Sequence, residues 1–205
     1  MISEMIRVIA FDFGGTLFST ARMGTFTPKM AGAFRAEITR EGGCSEEVAE
    51  AVFAAYTNAW KARRARGGDL PERETSSQVL LESAVVKTGI SLTKDQMVMV
   101  LNAFHSEEAE QFTPLSGVLE SLPVLVKAGY RLCIVSNNPW AESIRASLRR
   151  YGIESIFEHI VVSCDVGFRK PHSPIFNELM ARVGVTASEV LFVGDSFAHD
   201  IEVPK

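Results

Sequence analysis

Four stretches of this sequence lead to residues equipped to handle a charged ligand. Asp12 follows IRVIAF, Ser136 and Asn137 follow RLCIV, Lys170 lies in the segment after HIVVS, and Asp195 and Asp200 follow VLFVG. A carboxylate can attack an electrophile or hold a metal. A hydroxyl and an ammonium can stabilise negative charge that develops on a reacting group. A pair of acids suits a hard divalent cation, which takes oxygen ligands. One acid, one hydroxyl, one cation and an acidic pair therefore need a scaffold that gathers them.

That scaffold is legible in the surrounding pattern. Ile6 to Phe13 is apolar and β-branched and stops at Gly14-Gly15, as expected of a strand buried on both faces that ends at a tight turn. From Pro28 to Phe112 the periodicity is helical, with helices expected over Pro28–Arg40, Ser45–Arg66, Glu74–Lys87 and Thr93–Gln111. After Pro114 helices (Val118–Ala128, Trp140–Tyr151, Pro174–Val183) alternate with strands (Arg131–Val135, His159–Ser163, Val190–Val193). Such alternation predicts an α/β fold with a parallel sheet and crossover helices. The helical stretch interrupts this core after its first strand and reads as an insertion. Ligands of a parallel sheet bind beyond the carboxyl ends of its strands, which is where the polar residues fall.

Taken together, DFGGTL (Asp12–Leu17), VSNN (Val135–Asn138), RKPHSPIF (Arg169–Phe176) and GDSFAHD (Gly194–Asp200) resemble, in order and spacing, the four motifs of the haloacid dehalogenase superfamily. The resemblance implies a Rossmann-like core over residues 1–18 and 113–205, with an α-helical cap over 19–112. It implies magnesium-dependent hydrolysis of a small phosphorylated metabolite. Asp12 would be the nucleophile, Ser136 and Lys170 would bind and neutralise the phosphoryl group, and Asn137 and Thr16 would assist substrate binding. The metal would be held by Asp12, the carbonyl of Gly14 and Asp195, with Asp200 behind them orienting metal-bound water or Lys170. Simpler roles stand beside these: turn capping for Asp12, helix capping for Ser136, Asp195 and Asp200, and a solvated loop for Lys170.

One position departs from the family pattern. Phosphatases of this superfamily usually carry a second Asp two residues after the nucleophile, as acid and then base, and here that residue is Gly14. Positioned acid–base catalysis typically contributes about 10² to 10⁴ in rate, so substrates with good leaving groups should be favoured. His105, His172 and His199 are candidate substitutes because imidazole titrates near neutrality, with His172 first for its nearness to Lys170. Two other readings stay open: a metal-independent 2-haloacid dehalogenase, against which Asp195 argues, and a silent domain that binds a phosphorylated ligand or a protein.

The remaining features are more ordinary. Phe18–Thr27, with Gly24, is a candidate hinge and flap. Phe26, Phe34, Tyr56 and Trp60 read as core residues of the helices rather than a pocket lining, and KARRAR (Lys61–Arg66) as a solvated helix end. With 205 residues, 46% hydrophobic and 22% charged, the chain can bury a substantial core. A net charge of −4 gives no footprint for nucleic acid. Cys44, Cys133 and Cys164 suggest neither zinc nor disulfides. No membrane-length apolar run or signal-peptide pattern is present, so a cytoplasmic location is expected. Only Ile201–Lys205 follow Asp200, which predicts an uncovered sheet edge where a second chain could dock.

Overall fold

The computed structural model describes residues 6–19, 26–66 and 73–201. Strands β1 (Val8–Phe11), β2 (Arg131–Ser136), β3 (Phe157–Val162) and β4 (Val190–Val193) form a parallel sheet in the order β3-β2-β1-β4. Its register pairs Phe11 with Ile134 on one side and with Val193 on the other, so the strand ends that carry Asp12, Ser136 and Gly194 lie side by side.

Alternation along the strands explains why both faces are covered. Ile9, Phe11, Leu132 and Ile134 point to one face, packed with Leu122 of α5 (Val118–Lys127) and with Ile144 and Leu148 of α6 (Ala141–Arg150). Val8, Ala10, Cys133 and Val135 point to the other, packed with Ile175, Leu179 and Val183. Successive strand residues face opposite ways, so a strand with helices on both faces must be apolar throughout, and all four residues of β1 are buried.

Helices α1 (Pro28–Gly42), α2 (Glu46–Arg66), α3 (Ser77–Thr88) and α4 (Lys94–Ala109) enclose an apolar cluster of their own. Within it Phe34 lies 5.1 Å from Tyr56, Tyr56 5.5 Å from Phe104, and Phe26 5.1 Å from Trp60. The aromatics singled out in the sequence are core residues. Local signals set the helix starts: the hydroxyl of Thr27 accepts from Met30 N, and Thr93 and Gln96 cap α4 reciprocally. The third helix begins at Ser77, not Glu74, because Glu74 donates its backbone N–H to Gly167 O (3.0 Å) while Ser76 provides the cap.

Two elements differ from the sequence expectation. Ser163 does not end β3 but opens a single-turn helix, α7 (Ser163–Val166), which precedes α8 (Ser173–Val183). Phe197–Ile201 forms a π-helical turn, a rare conformation found disproportionately at functional sites. The expected hinge is described only at its ends: Phe18 is fully buried in the sheet cluster, and residues 20–25 lie outside the described residues, as does Gly67-Gly68. Of the basic run, Arg63 is ion-paired with Glu74 rather than solvated. Among the described residues no helix is long and apolar enough to cross a membrane.

Candidate active site

Asp12 leaves β1 with its N–H still donating to Val193 O (2.9 Å), which fixes its side chain above the centre of the sheet. The next turn is shaped by Gly15, at φ +88°, where a Cβ would lie 2.2 Å from Asp195 Oδ2. Only glycine lets the loop and that carboxylate approach so closely. Gly194 serves the same purpose for Asp200, whose Cγ would lie 2.3 Å from an added Cβ.

Lys170 supplies the central cation. Its Nζ donates to Asp12 Oδ1 (2.6 Å) and Asp200 Oδ1 (2.7 Å), with only 2% of the side chain exposed. Asp200 Oδ2 accepts from Ser196 N (3.0 Å), so the turn after β4 holds the acid that holds the lysine. Asn137 clamps the lysine's backbone, donating to Lys170 O (3.0 Å) and accepting from Lys170 N (2.7 Å). Burial raises the Asp12 carboxyl above its usual range, and the adjacent Lys170 opposes the shift.

Asp12, Gly14, Ser136, Asn137, Lys170, Asp195 and Asp200 line one cavity of about 310 Å³. Four sequence segments thus meet at one place. Ser136 is not the cap of α6, whose N-cap position is Trp140 and whose first turn has no side-chain cap. Lys170 is not in a solvated loop. Thr16, expected to touch substrate, is not among the lining residues, and its hydroxyl is buried without a partner. Nor is His172 among them, and His105 lies in the helical region between Ser77 Oγ (2.9 Å) and Glu108 Oε2 (2.6 Å). His199 is the histidine that lines the cavity, with Nδ1 against Ser196 Oγ (2.8 Å). Burial lowers its pKa, and the nearby Arg169 lowers it further. Phe13, Asn138, Arg169, Ser196 and His199 also line the cavity, and each sits within or beside a motif already noted. His199 was already a candidate by its titration range; for the other four, adjacency was the only signal that could have found them.

The donor set suits a small hard cation. Asp12, Asp195 and Asp200 each offer an oxygen within 4.8 Å of the others, and Lys170 bonds two of them, Asp12 and Asp200. Such an excess of carboxylate fits magnesium, which takes a few protein oxygens and completes its shell with water and phosphate.

The sequence model described as haloacid dehalogenase-like hydrolase matches residues 49–205. The chain belongs to that family. Among relatives of this HAD-like hydrolase, a pyrophosphatase (PpaX) of Bacillus velezensis is 33% identical over 120 residues, 58% of this chain and 55% of its own. The chain therefore spans about half the length of that relative. A glyceraldehyde 3-phosphate phosphatase of Methanothermobacter thermautotrophicus is 24% identical over 96% of this chain and 80% of its own. That span is too long to leave Asp12 outside, although the family match begins in α2. The fold resembles a solved 2-haloacid dehalogenase from Pseudomonas syringae, with TM-score 0.58 and 22% identity over 96% of this chain and 81% of the other. Phosphatases and dehalogenases thus share this architecture, and only the site can separate their reactions.

Proposed function

We propose that this HAD-like hydrolase hydrolyses small phosphate monoesters with magnesium, through an aspartyl-phosphate on Asp12. The observation that carries this reading is the buried Asp12–Lys170–Asp200 chain of contacts, with Asp195 beside it, at the carboxyl ends of the strands. A carbon-attacking dehalogenase has no evident use for so many acids, whereas a phosphate needs a cation to approach them.

In this reading the Asp12 oxygen not bonded to Lys170 attacks phosphorus and the ester P–O bond breaks. The leaving oxygen departs with the bonding pair and takes a proton. Water then attacks phosphorus, the Asp12–phosphoryl bond breaks, and inorganic phosphate is released. Lys170 and Ser136 stabilise the equatorial oxygens, and Asn137 positions Lys170. Asp12, Asp195 and the Gly14 carbonyl would hold magnesium, which offsets the charge of the phosphate. Asp200 acts from behind, through Lys170 and Ser196. With Gly14 unable to supply a proton, His199, which lines the cavity, replaces His172 as the histidine candidate for that role, although its lowered pKa works against the protonated form near neutral pH. The helical region, residues 19–112, is the cap that would exclude water. Three free cysteines suit the reducing cytoplasm. The exposed flank of β4, with Leu191 and Phe197 open to solvent, is the surface we assign to any second chain.

Gly14 also favours a second reading, phosphate binding without turnover. Release of nitrophenol from nitrophenyl phosphate tests both. We expect activity that requires magnesium, disappears on chelation, is abolished in Asp12→Asn, and rises in Gly14→Asp. Gly15, not Gly14, holds the left-handed backbone of this turn, so an Asp at 14 meets no conformational penalty of that kind. Folded wild type and Gly14→Asp that both fail to turn over would leave binding as the function.

A further inference from the structure

Glu74 has one negative charge and an unusual number of claimants on it. Its side chain is 1% exposed. Oε1 accepts from Arg63 Nε (3.0 Å), Arg63 Nη2 (2.6 Å) and the Thr75 N–H (2.8 Å). Oε2 accepts from Ser163 Oγ (2.6 Å) and Arg169 Nη1 (2.8 Å). Two guanidinium groups, 13% and 17% exposed, thus share a single carboxylate. Arginine stays protonated at any ordinary pH, so the triad carries one positive charge that none of its own members balances. Holding such a charge away from water is costly unless an anion meets it.

The placement of that surplus matters. Arg169 lines the same cavity as Asp12, Ser136 and Lys170, whereas Arg63 and Glu74 do not. Lys170 is already bonded to two carboxylates, and the phosphatase reading gives Asp195 to magnesium, so Arg169 is the cation of the lining with donors to spare for a ligand. A guanidinium presents a planar fork that matches carboxylate and phosphate oxygens. Its single described bond to Glu74, through Nη1, fixes the head without using that fork.

Resting on the phosphatase reading for the reacting end, we propose that the cavity is a two-anion site. Arg169, held in place by Glu74, takes a second anionic group of the substrate, a carboxylate or a further phosphate, beside the phosphoryl group that Asp12 attacks. The substrate class is then an anionic-tailed phosphate such as a phospho-carboxylate or a diphosphate, not a phosphorylated aldehyde or alcohol.

Calorimetric binding to the full chain with magnesium tests this without turnover, using ethylphosphonate as the one-anion probe. Phosphonoacetate and methylenediphosphonate are the two-anion probes, one for each kind of second group. At least one of the latter should bind about tenfold or more tightly than ethylphosphonate, the size of effect expected of one charge-assisted hydrogen bond. That ratio should collapse toward unity in Arg169→Gln and fall partway in Arg169→Lys, which keeps the charge, is the milder change for folding, and loses the fork. A wild-type ratio near unity, or an unchanged ratio in both variants, overturns the proposal even if nitrophenyl phosphate is hydrolysed. A retained ratio in a protein that hydrolyses nothing would sustain it and remove the phosphatase reading instead.

Discussion

At the scale of single residues, Lys170 decides most about this site. Its ammonium keeps Asp12 and Asp200 from facing each other at low exposure, and burial alone would push Asp12 toward its neutral form. Replacing Lys170 with Met should therefore do two separable things. Removing one partner of a buried ion pair typically costs about 3–5 kcal/mol, so urea unfolding in a chelator should show a loss of that size. Phosphatase activity should fall as well, because the phosphoryl oxygens lose their cation. Adding Asp200→Asn to Lys170→Met should recover part of the stability and none of the activity. If stability is unchanged in the single variant, the contacts among these three side chains are weaker than their distances imply. The chemical types at this site were legible in the sequence because each follows an apolar strand. The partners were less so: the family resemblance offered Asp200 either metal-bound water or Lys170, and nothing in the order of residues says that His199 rather than His172 reaches the cavity. Those follow from the turn after β4, whose π-helical winding has no sequence rule of its own.

At the scale of elements, turns matter more than strand interiors. The strands and helices were readable because burial on both faces demands unbroken apolar runs and amphipathic helices demand a 3.6-residue period. Their ends were less so. Glu74 reads as helical by periodicity, yet a distant partner, the Gly167 carbonyl, pulls its backbone out of the helix. Gly194 carries the testable case. Its backbone is not left-handed, so Ala there meets no conformational penalty; the conflict is steric, with Asp200 Cγ at 2.3 Å and Oδ2 at 2.3 Å. Overpacking of this kind typically costs about 1–3 kcal/mol. Gly194→Ala should displace Asp200, strip Lys170 of one partner, and lower turnover more than its stability loss alone predicts. Thermal unfolding alongside nitrophenyl phosphate kinetics separates the two effects, and a variant with full activity would mean that Asp200 can move without consequence.

At the scale of the whole molecule, the helical region and the sheet have separate apolar clusters, joined by the Trp140 ring, which packs on the helical cluster, and by polar contacts. Trp140 Nε1 donates to Asn102 Oδ1 (3.2 Å), and the Trp140 ring stacks on His105. The Arg73 guanidinium lies 4.3 Å over the Phe168 ring, and Glu74 ties α2 to the Arg169 segment. Polar junctions demand complete pairing, because a buried charge left alone costs more than a lost apolar contact of similar size. Glu74→Ala would strand two guanidinium groups and leave Ser163 without its carboxylate acceptor, so about 3–5 kcal/mol should be lost. The exposed Arg7–Glu189 pair, by contrast, is screened by solvent and should contribute little. The two tryptophans allow a sharper reading, since Trp60 sits in the helical cluster and Trp140 at the junction with the sheet. In Trp60→Phe and Trp140→Phe backgrounds, each remaining indole reports one region during urea unfolding. With Glu74 intact the two curves should coincide, as expected of one cooperative unit. With Glu74→Ala they should separate, because the loss falls on the junction while both apolar clusters stay intact. Coincident curves in that variant would mean that the coupling does not run through Glu74, and would make Glu74 a residue that positions Arg169 without holding the two regions together.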